Sequence, residues 1–354
     1  MILARALDGR RVVRLSGGLQ IRVGDLTTLA CLLVAILIAA IVSLTVGTTP
    51  ITLGDAAATL WRGPGGGDQA FAIWEVRLPR ILMGVLVGGS IALTGAMLQS
   101  LSQNPLADPG LLGLSQGSMT ALMLIFVLFP TMPQGVLPLA ALGGGLAVGI
   151  LLLLLVGRGN AGGMAILLMG IAVETTLSSV TSVLVLYTPP EISLALADWM
   201  AGSLFRSSWN SLATFTPWFA LGVPAILLLG RSLRSYDMGD QMAMSLGENL
   251  PLSKPVILVT AVLLTSAAVS AVGPLAFLGV MAPHLANFIS PTSGRGRLVL
   301  SAAVGSLLVI CADMMTRAFA GDIPLPTGLA IVMLGVPMFI LTLRLRAMRR
   351  MRRQ

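Results

Sequence analysis

The sequence is poor in the residues on which most enzymes and small secreted domains depend. Among 354 residues there is one histidine and there are two cysteines, and only 10% of the chain is charged. A lone His284 cannot build a multi-histidine metal site, which leaves no metal-ligating set in the chain. Cys31 and Cys311 both fall in apolar runs and read as small core residues, not as a disulfide or a metal pair. There is no GxxxxGK[ST], no GxGxxG before a strand, and no Ser-His-Asp or His-Glu arrangement, so no catalytic residues are assigned. The shortage of charge excludes the most. A soluble chain of this length needs far more of it to cover its surface.

What is present is apolar: 56% of the residues are hydrophobic and the mean hydropathy is +0.93. Runs long enough to cross a bilayer are predicted over 26–46, 81–101, 112–130, 136–156, 163–187, 211–230, 255–272, 298–316 and 326–343. A shorter run, 274–289, follows Gly273-Pro274 and contains Pro283, so hydropathy alone leaves it open. The 40 glycines and 19 methionines suit close helix approach and adaptable packing. The first run begins near Asp25, after a basic mixed segment, and is long enough to span. A cleavable signal peptide is therefore not expected.

The net charge of +8 does not point to nucleic acid, because the cations sit at the termini and between apolar runs. With the N-terminus inside, five of the 22 cations fall outside: Arg62, Arg77, Arg80, Arg206 and Arg317. The other 17 lie inside, which favours two inner termini and an even number of spans. The short run then counts, and the expected fold is an all-α polytopic membrane protein of ten helices. The expected organisation is a basic inner segment 1–25, a span domain 26–343 and a basic inner tail 344–354. Outer connections cover 47–76, 188–210 and 318–325. The second reads as a short interfacial helix with Trp199 and Trp209 at headgroup level. The long inner loop, 231–254, is polar and partly amphipathic.

Three places invite a functional reading. RLPR, from Arg77 to Arg80, opens a span with two cations, which at a helix N-terminus oppose the macrodipole. Snorkelling to lipid phosphate is the plain explanation. Arg317 reaches the same outer side from another span, and the convergence suggests a patch for carboxylates of a soluble partner. NPLADP follows the same span. Asn104-Pro105 and Asp108-Pro109 keep the chain out of the helical region. It is either an ordinary turn or a broken segment lining a cavity. Glu174 and Asp313 are ionisable residues within spans, which makes both functional candidates. Asp313 stands four residues before Arg317, so a structural pair is favoured there. Glu174 has no local partner in the sequence.

Taken together, the stretch RLPRILMGVLVGGSIALTGAMLQSLSQNPLADPGLLGLSQG resembles the signature of permease subunits of type II ABC importers, the iron-siderophore, haem and cobalamin class. GPLAFLGVMAPHLANFI at 273–289, ADMMTR at 312–317 and PLPTGLAIVMLGVPMFI at 324–340 continue the resemblance in order. It implies ten helices, a homo- or heterodimer of permeases, two cytoplasmic ATPase subunits that carry the ATP-Mg, and a periplasmic binding protein. No cofactor is implied in this chain, and the implied location is a bacterial inner membrane. The resemblance assigns Arg77, Arg80 and Arg317 to docking of the binding protein. It assigns the loop Gly239 to Leu252, Gly247 included, to the ATPase groove; by residue type, Met242, Met244 and Leu246 give an apolar strip for such a groove, and Asp240 and Glu248 can pair with basic partners. Asn104, Pro105, Asp108, Pro109, Pro283 and His284 are path or structural candidates, with His284 packing near the ATPase side. The chain departs from the family at Pro324, where an acid is usual, and at Asn287, where arginine is usual. The implied cargo is a ferric siderophore, with haem or cobalamin as alternatives. An ion-coupled secondary transporter using Glu174 and Asp313 is the competing class, and a passive channel lacks a filter motif or charge ring.

Overall fold

The computed structural model describes residues 2–5, 11–14, 20–47, 49–65, 68–129, 131–156, 162–188, 199–319 and 325–351. Ahead of the first span, β1 (Ile2–Arg5), β2 (Arg11–Arg14) and β3 (Gln20–Arg22) form an antiparallel sheet in that order. Leu3 pairs with Val13, and Val13 with Ile21. Composition shows only a basic segment here. The strand RVVR carries a β-branched pair that favours extended backbone.

From Val23 onward the described structure is helical. In order come α1 (Val23–Thr45), α2 (Leu53–Arg62), α3 (Leu78–Ser102), α4 (Leu114–Leu128), α5 (Leu137–Val156), α6 (Gly163–Leu186) and α7 (Trp209–Tyr236). They are followed by α8 (Asp240–Ser245), α9 (Leu250–Val272), α10 (Leu278–Ile289), α11 (Arg295–Phe319) and α12 (Thr327–Met351). Eight described helices are long and apolar enough to cross a bilayer, and α4 and α10 are shorter apolar helices. Each of the ten apolar runs read from the sequence is a helix. The chain is an all-α polytopic membrane protein carrying a small N-terminal sheet.

Burial sorts the helices. The most apolar stretch of α3 is 83% buried, whereas that of α1 is 6% buried. Thus α3 is the central post and α1 lies on the outside. Cys31 is correspondingly exposed on α1, which corrects its reading as a core residue; Cys311 is half-buried. The post meets α11 through glycines. A Cβ on Gly88 would stand 2.7 Å from the Gly305 carbonyl oxygen, and one on Gly305 2.4 Å from that of Gly88. Without hydrophobic drive between helices in lipid, this close backbone approach supplies the packing.

Helix limits bring one correction. The span containing RLPR does not open with two arginines. A turn at Asp68–Phe71 and a π-helical stretch, Ala72–Arg77, lead into α3 without a break. Pro79 offers no N–H to the carbonyl four residues back, and the wider π turn accommodates it. Arg77 and Arg80 are therefore nearly three turns inside a continuous helix whose first turn holds Asp68. The interfacial helix expected in 188–210 is described only from Trp199 onward. Arg158, Asp322 and Pro324 lie outside the described residues. At the other end, α12 carries the basic residues on as helix past 343.

Candidate functional site

The face read from the sequence as inner is built from the end of α7, the short α8 and the start of α9. Gly239 and Gly247 bracket α8 with φ of +102° and +86°, where any Cβ is strained. The turn between them presents its apolar side chains outward. Met242, Met244 and Leu246 are 50%, 53% and 58% exposed, while Ala243 is buried against the bundle. Asp240 is held by Lys254 at 2.7 Å, so its carboxylate is engaged inside the chain. Glu248 is half-buried in the turn, and its N–H donates to the Ala243 carbonyl at 3.0 Å.

Behind this surface lies a polar cleft of about 610 Å³. Arg297, in the first turn of α11, spans it. Its Nη2 donates to Gln99 Oε1 at 2.7 Å and its Nη1 to Asp237 Oδ1 at 3.1 Å. Ser100 Oγ donates to the same Asp237 oxygen at 2.7 Å, and Gln103 Nε2 to the Tyr236 carbonyl at 3.0 Å. The residue that joins α7 to α8 is thereby tied to α3 and α11. Sequence reading missed this pair, 60 residues apart, although the orientation already placed both members at inner helix ends.

NPLADP forms one wall of the same region. Gln103 ends α3 in the left-handed conformation with φ of 53°. Asn104 Oδ1 accepts from the Leu106 N–H at 2.9 Å, which closes a side-chain turn, and Pro105 lines the cleft. Asp108 Oδ1 accepts from the Gly110 N–H at 2.7 Å and caps the 3₁₀ turn Pro109–Leu112. Its Oδ2 faces the first turn of α10, where the Gly279 and Val280 N–H groups act on it electrostatically without closing full hydrogen bonds. Asp108 belongs to the connection, outside the helical spans, and burial pushes its carboxyl up to about 6. Of the segment 104–109, Pro105 lines the cleft, while Asp108 is buried within the connection.

The start of α10 shows why Pro283 is tolerated. A proline frees the carbonyl four residues before it, here Gly279. Gln99 Nε2 of α3 donates to that carbonyl at 3.2 Å. Gly95 lets the helices come this close, because a Cβ on it would fall 2.1 Å from the same oxygen. Next in the chain, His284 Nε2 meets Thr342 Oγ1 at 2.9 Å, and its ring packs on Phe339 with centroids 4.6 Å apart. His284 joins α10 to α12, the packing and hydrogen-bonding role read from the sequence.

At the outer end the three arginines converge, but they face inward. Arg77 and Arg80 are 4% and 5% exposed. Arg80 Nε bonds Asp313 Oδ1 at 2.6 Å and Arg317 Nε bonds Asp313 Oδ2 at 3.0 Å. Arg317 also donates to the Ser43 and Val46 carbonyls at 2.8 and 2.7 Å and to the Ser43 hydroxyl. Arg77 donates to the Leu44 carbonyl, and to that of Thr49 at 2.6 Å. Ser43 and Leu44 carry carbonyls of the last turn of α1, which no N–H of that helix can satisfy. Cations are favoured there by the macrodipole. The arginines thus complement the C-terminus of α1 instead of opposing the N-terminus of their own helix. The Asp313–Arg317 pair read from spacing is present. Arg77 and Arg80 are thus buried, with bonds to α1, to the Thr49 carbonyl and to Asp313 inside the subunit.

Glu174 lies half-buried on α6 beside Thr175 and Thr176, which are exposed, and no described residue bonds its carboxylate. No group of three or more potential metal-ligating side chains occurs among the described residues.

The bundle and its motifs match known proteins over most of their length. Residues 33–345 match the model of the FecCD transport family. The chain is 31% identical over 321 residues to the Fe(3+)-citrate import system permease protein YfmE of Bacillus subtilis (strain 168), covering 89% of this chain and 96% of that protein. It is 33% identical over 301 residues to the Fe(3+) dicitrate transport system permease protein FecD of Escherichia coli (strain K12), covering 85% and 93%. In fold it resembles a metal-chelate type ABC transporter solved in an inward-facing conformation, with a TM-score of 0.78, 24% identity, and coverage of 90% of this chain and 99% of that one. The chain belongs to the FecCD transport family and is a multi-pass permease subunit of an ABC importer.

Proposed function

We propose that the chain carries a ferric chelate of the siderophore type across a bacterial inner membrane. It does so as one of two permease subunits driven by cytoplasmic ATPases. The observation that carries the cargo is the family match over 33–345, with relatives named for ferric citrate and, at 32% identity, for iron(3+)-hydroxamate import. In this reading α4 and α10 complete ten spans, and both termini face the cytoplasm. The exposed turn at Met242, Met244 and Leu246 seats in an ATPase groove, and Asp237 passes its movement through Arg297 to α3 and α11. ATP and Mg²⁺ act on the partner, and no cofactor resides in this chain. A periplasmic binding protein delivers the cargo at the outer end. Arg77, Arg80 and Arg317 serve docking indirectly, by fixing the end of α1 and the helix mouth on which that protein sits.

The test is reconstitution into vesicles with the ATPase and the binding protein. Uptake of a radiolabelled ferric citrate or hydroxamate chelate should require ATP and all three components. Uptake by the permease alone down a proton or sodium gradient would overturn the ATP-driven reading. Uptake of haem or cobalamin with neither ferric chelate carried would overturn the cargo.

A further inference from the structure

The short helix α2 carries an apolar stripe that the bundle does not cover. Leu53, Ala57, Leu60 and Trp61 are all exposed, and their helical spacing puts them on one side. Trp61 is 93% exposed, more than any other large apolar side chain among the described residues. The remaining sides of the helix have other neighbours. Ala56 packs into a small core with Leu44, Ile51, Ile73 and Ile81. Asp55 and Arg62 stand half a turn around from Leu53. Asp55 closes the cap with Thr52, and Arg62 is exposed. The helix therefore has a protein side, a charged side and an apolar side. Its reciprocal cap forms it without help from whatever meets the apolar side.

Hydrogen bonds fix the depth of α2. Arg77 donates to the Leu44 carbonyl in the last turn of α1, so Arg77 is level with the end of that span. Trp74, one turn earlier, donates through Nε1 to the Thr59 carbonyl of α2 at 3.3 Å. The second half of α2 thus lies roughly 5 Å beyond the end of the span. That is the level of the headgroup layer, which is about 5–7 Å thick on each side of the hydrocarbon. Trp209 Nε1 donates to the Trp74 carbonyl at 2.7 Å, so the indoles of Trp61, Trp74 and Trp209 gather at this level, where tryptophan is enriched.

The lateral position of α2 identifies what it meets. It packs on α1, whose apolar stretch is 6% buried and which forms the outside of the bundle. Ile41 and Val42 of α1 are exposed just short of the end of that span, and Phe71 and Val76 are exposed in the segment leading into α3. The stripe on α2 continues this lipid-facing surface by one more turn.

We propose that α2 is an interfacial helix, with its apolar stripe seated among the lipid headgroups and its Asp55–Arg62 side turned to water. The occupant of the stripe is the bilayer and not a protein.

Spin-label accessibility tests this. In the full-length chain with Cys31 and Cys311 replaced by alanine, nitroxides are attached at Ala57→Cys, Trp61→Cys and Arg62→Cys. Val34→Cys, in the exposed middle of α1, is the reference. The assembled transporter is placed in phospholipid vesicles. Relaxation of each label by oxygen, which concentrates in lipid, is compared with relaxation by a water-soluble nickel chelate. Labels at 57 and 61 should respond more to oxygen than to nickel and should read shallower than the label at 34. The label at 62 should show the reverse preference. Nickel dominating at 57 and 61 as well would put the stripe in water and overturn the proposal. Weak relaxation by both reagents at 57 and 61 would mean that a protein covers the stripe, which overturns it equally. Ala57→Cys adds a single atom at an exposed site, so it carries the test alone if Trp61→Cys disturbs the helix.

Discussion

The two ends of α3 use polar and apolar residues in opposite ways. At the outer end Arg77, Arg80, Arg317 and Asp313 are turned inside and satisfy one another and the last turn of α1. At the inner end Gln99, Ser100 and Gln103 hold the polar groups of the cleft, and the large side chains Met242, Met244 and Leu246 beyond it stand in the open. The outer end is complete in one subunit. The inner end leaves apolar area open. A charged motif therefore marks internal architecture here, and under the proposed function an apolar one marks the contact surface. That reverses the instinct formed on soluble proteins, where exposed charge signals a partner.

The largest effect should come from breaking the outer end. Asp313→Ala leaves Arg80 and Arg317 buried without their anion, which typically costs about 3–5 kcal/mol. The variant should reach the membrane at a reduced level and melt earlier in detergent. Normal level and melting, with only binding-protein affinity lost, would return the arginines to a direct docking role. At the inner end, Met242→Glu with Leu246→Glu should leave level and melting unchanged. Co-purification of the ATPase should fall at least about tenfold, since each large apolar contact removed is worth roughly 1.5–3 kcal/mol. Retained ATPase would move the contact surface elsewhere. Arg297→Gln, in the cleft at the same inner end, should be milder, on the order of 1 kcal/mol in melting because the pair is partly hydrated. Its signature is a lower ratio of cargo moved to ATP hydrolysed with the ATPase still bound. An unchanged ratio would remove Arg297 from the linkage.

The smallest effect is a pH dependence. The folded-state carboxyl of Asp108 is raised to about 6, above the usual carboxylate range. The folded protein thus holds this proton more tightly than the unfolded chain does. The resulting stability is full below about pH 4 and is lost as pH rises towards 6. Asp108→Asn should flatten this part of the melting-versus-pH curve. A wild-type curve already flat between those values would mean that the carboxylate is better solvated than its burial implies.

Much of this was legible in the sequence because membrane helices announce themselves by length and hydropathy. The run 81–101 became Leu78–Ser102, and the Asp313–Arg317 spacing became a pair. What hydropathy could not see was the polar lead-in, Asp68–Arg77, whose Glu75 and Arg77 interrupt the apolar run. The helix α2 had a visible signal that went unread: Thr52, just before LGDAAATL, and Asp55 within it form a reciprocal cap, three residues apart. Bonds between distant residues were beyond reach. Arg80 and Asp313 are 233 positions apart, and nothing local in either segment chooses the other. The role of Gln99 was hidden likewise, because it depends on a carbonyl that Pro283 frees in another helix.

The outermost helix, α1, is fastened at both ends. Its outer turn is gripped by Arg77 and Arg317. At its inner end Asp25 accepts from Ser290 at 2.7 Å and Thr292 at 3.1 Å, and Arg22 donates to the Pro291 carbonyl at 3.2 Å. Between these points Leu33, Val34, Leu37 and Ile38 are more than half exposed. Natural selection therefore reads this helix unevenly. Its tips are constrained at Asp25 and Ser43, whose side chains bond other segments, whereas the Leu44 and Val46 carbonyls held by Arg77 and Arg317 would be offered by any residue. Its exposed middle is spelled only as a class, because lipid does not distinguish leucine from isoleucine. Neutral drift should collect in the centre of α1 and stop abruptly at Asp25 and Ser43.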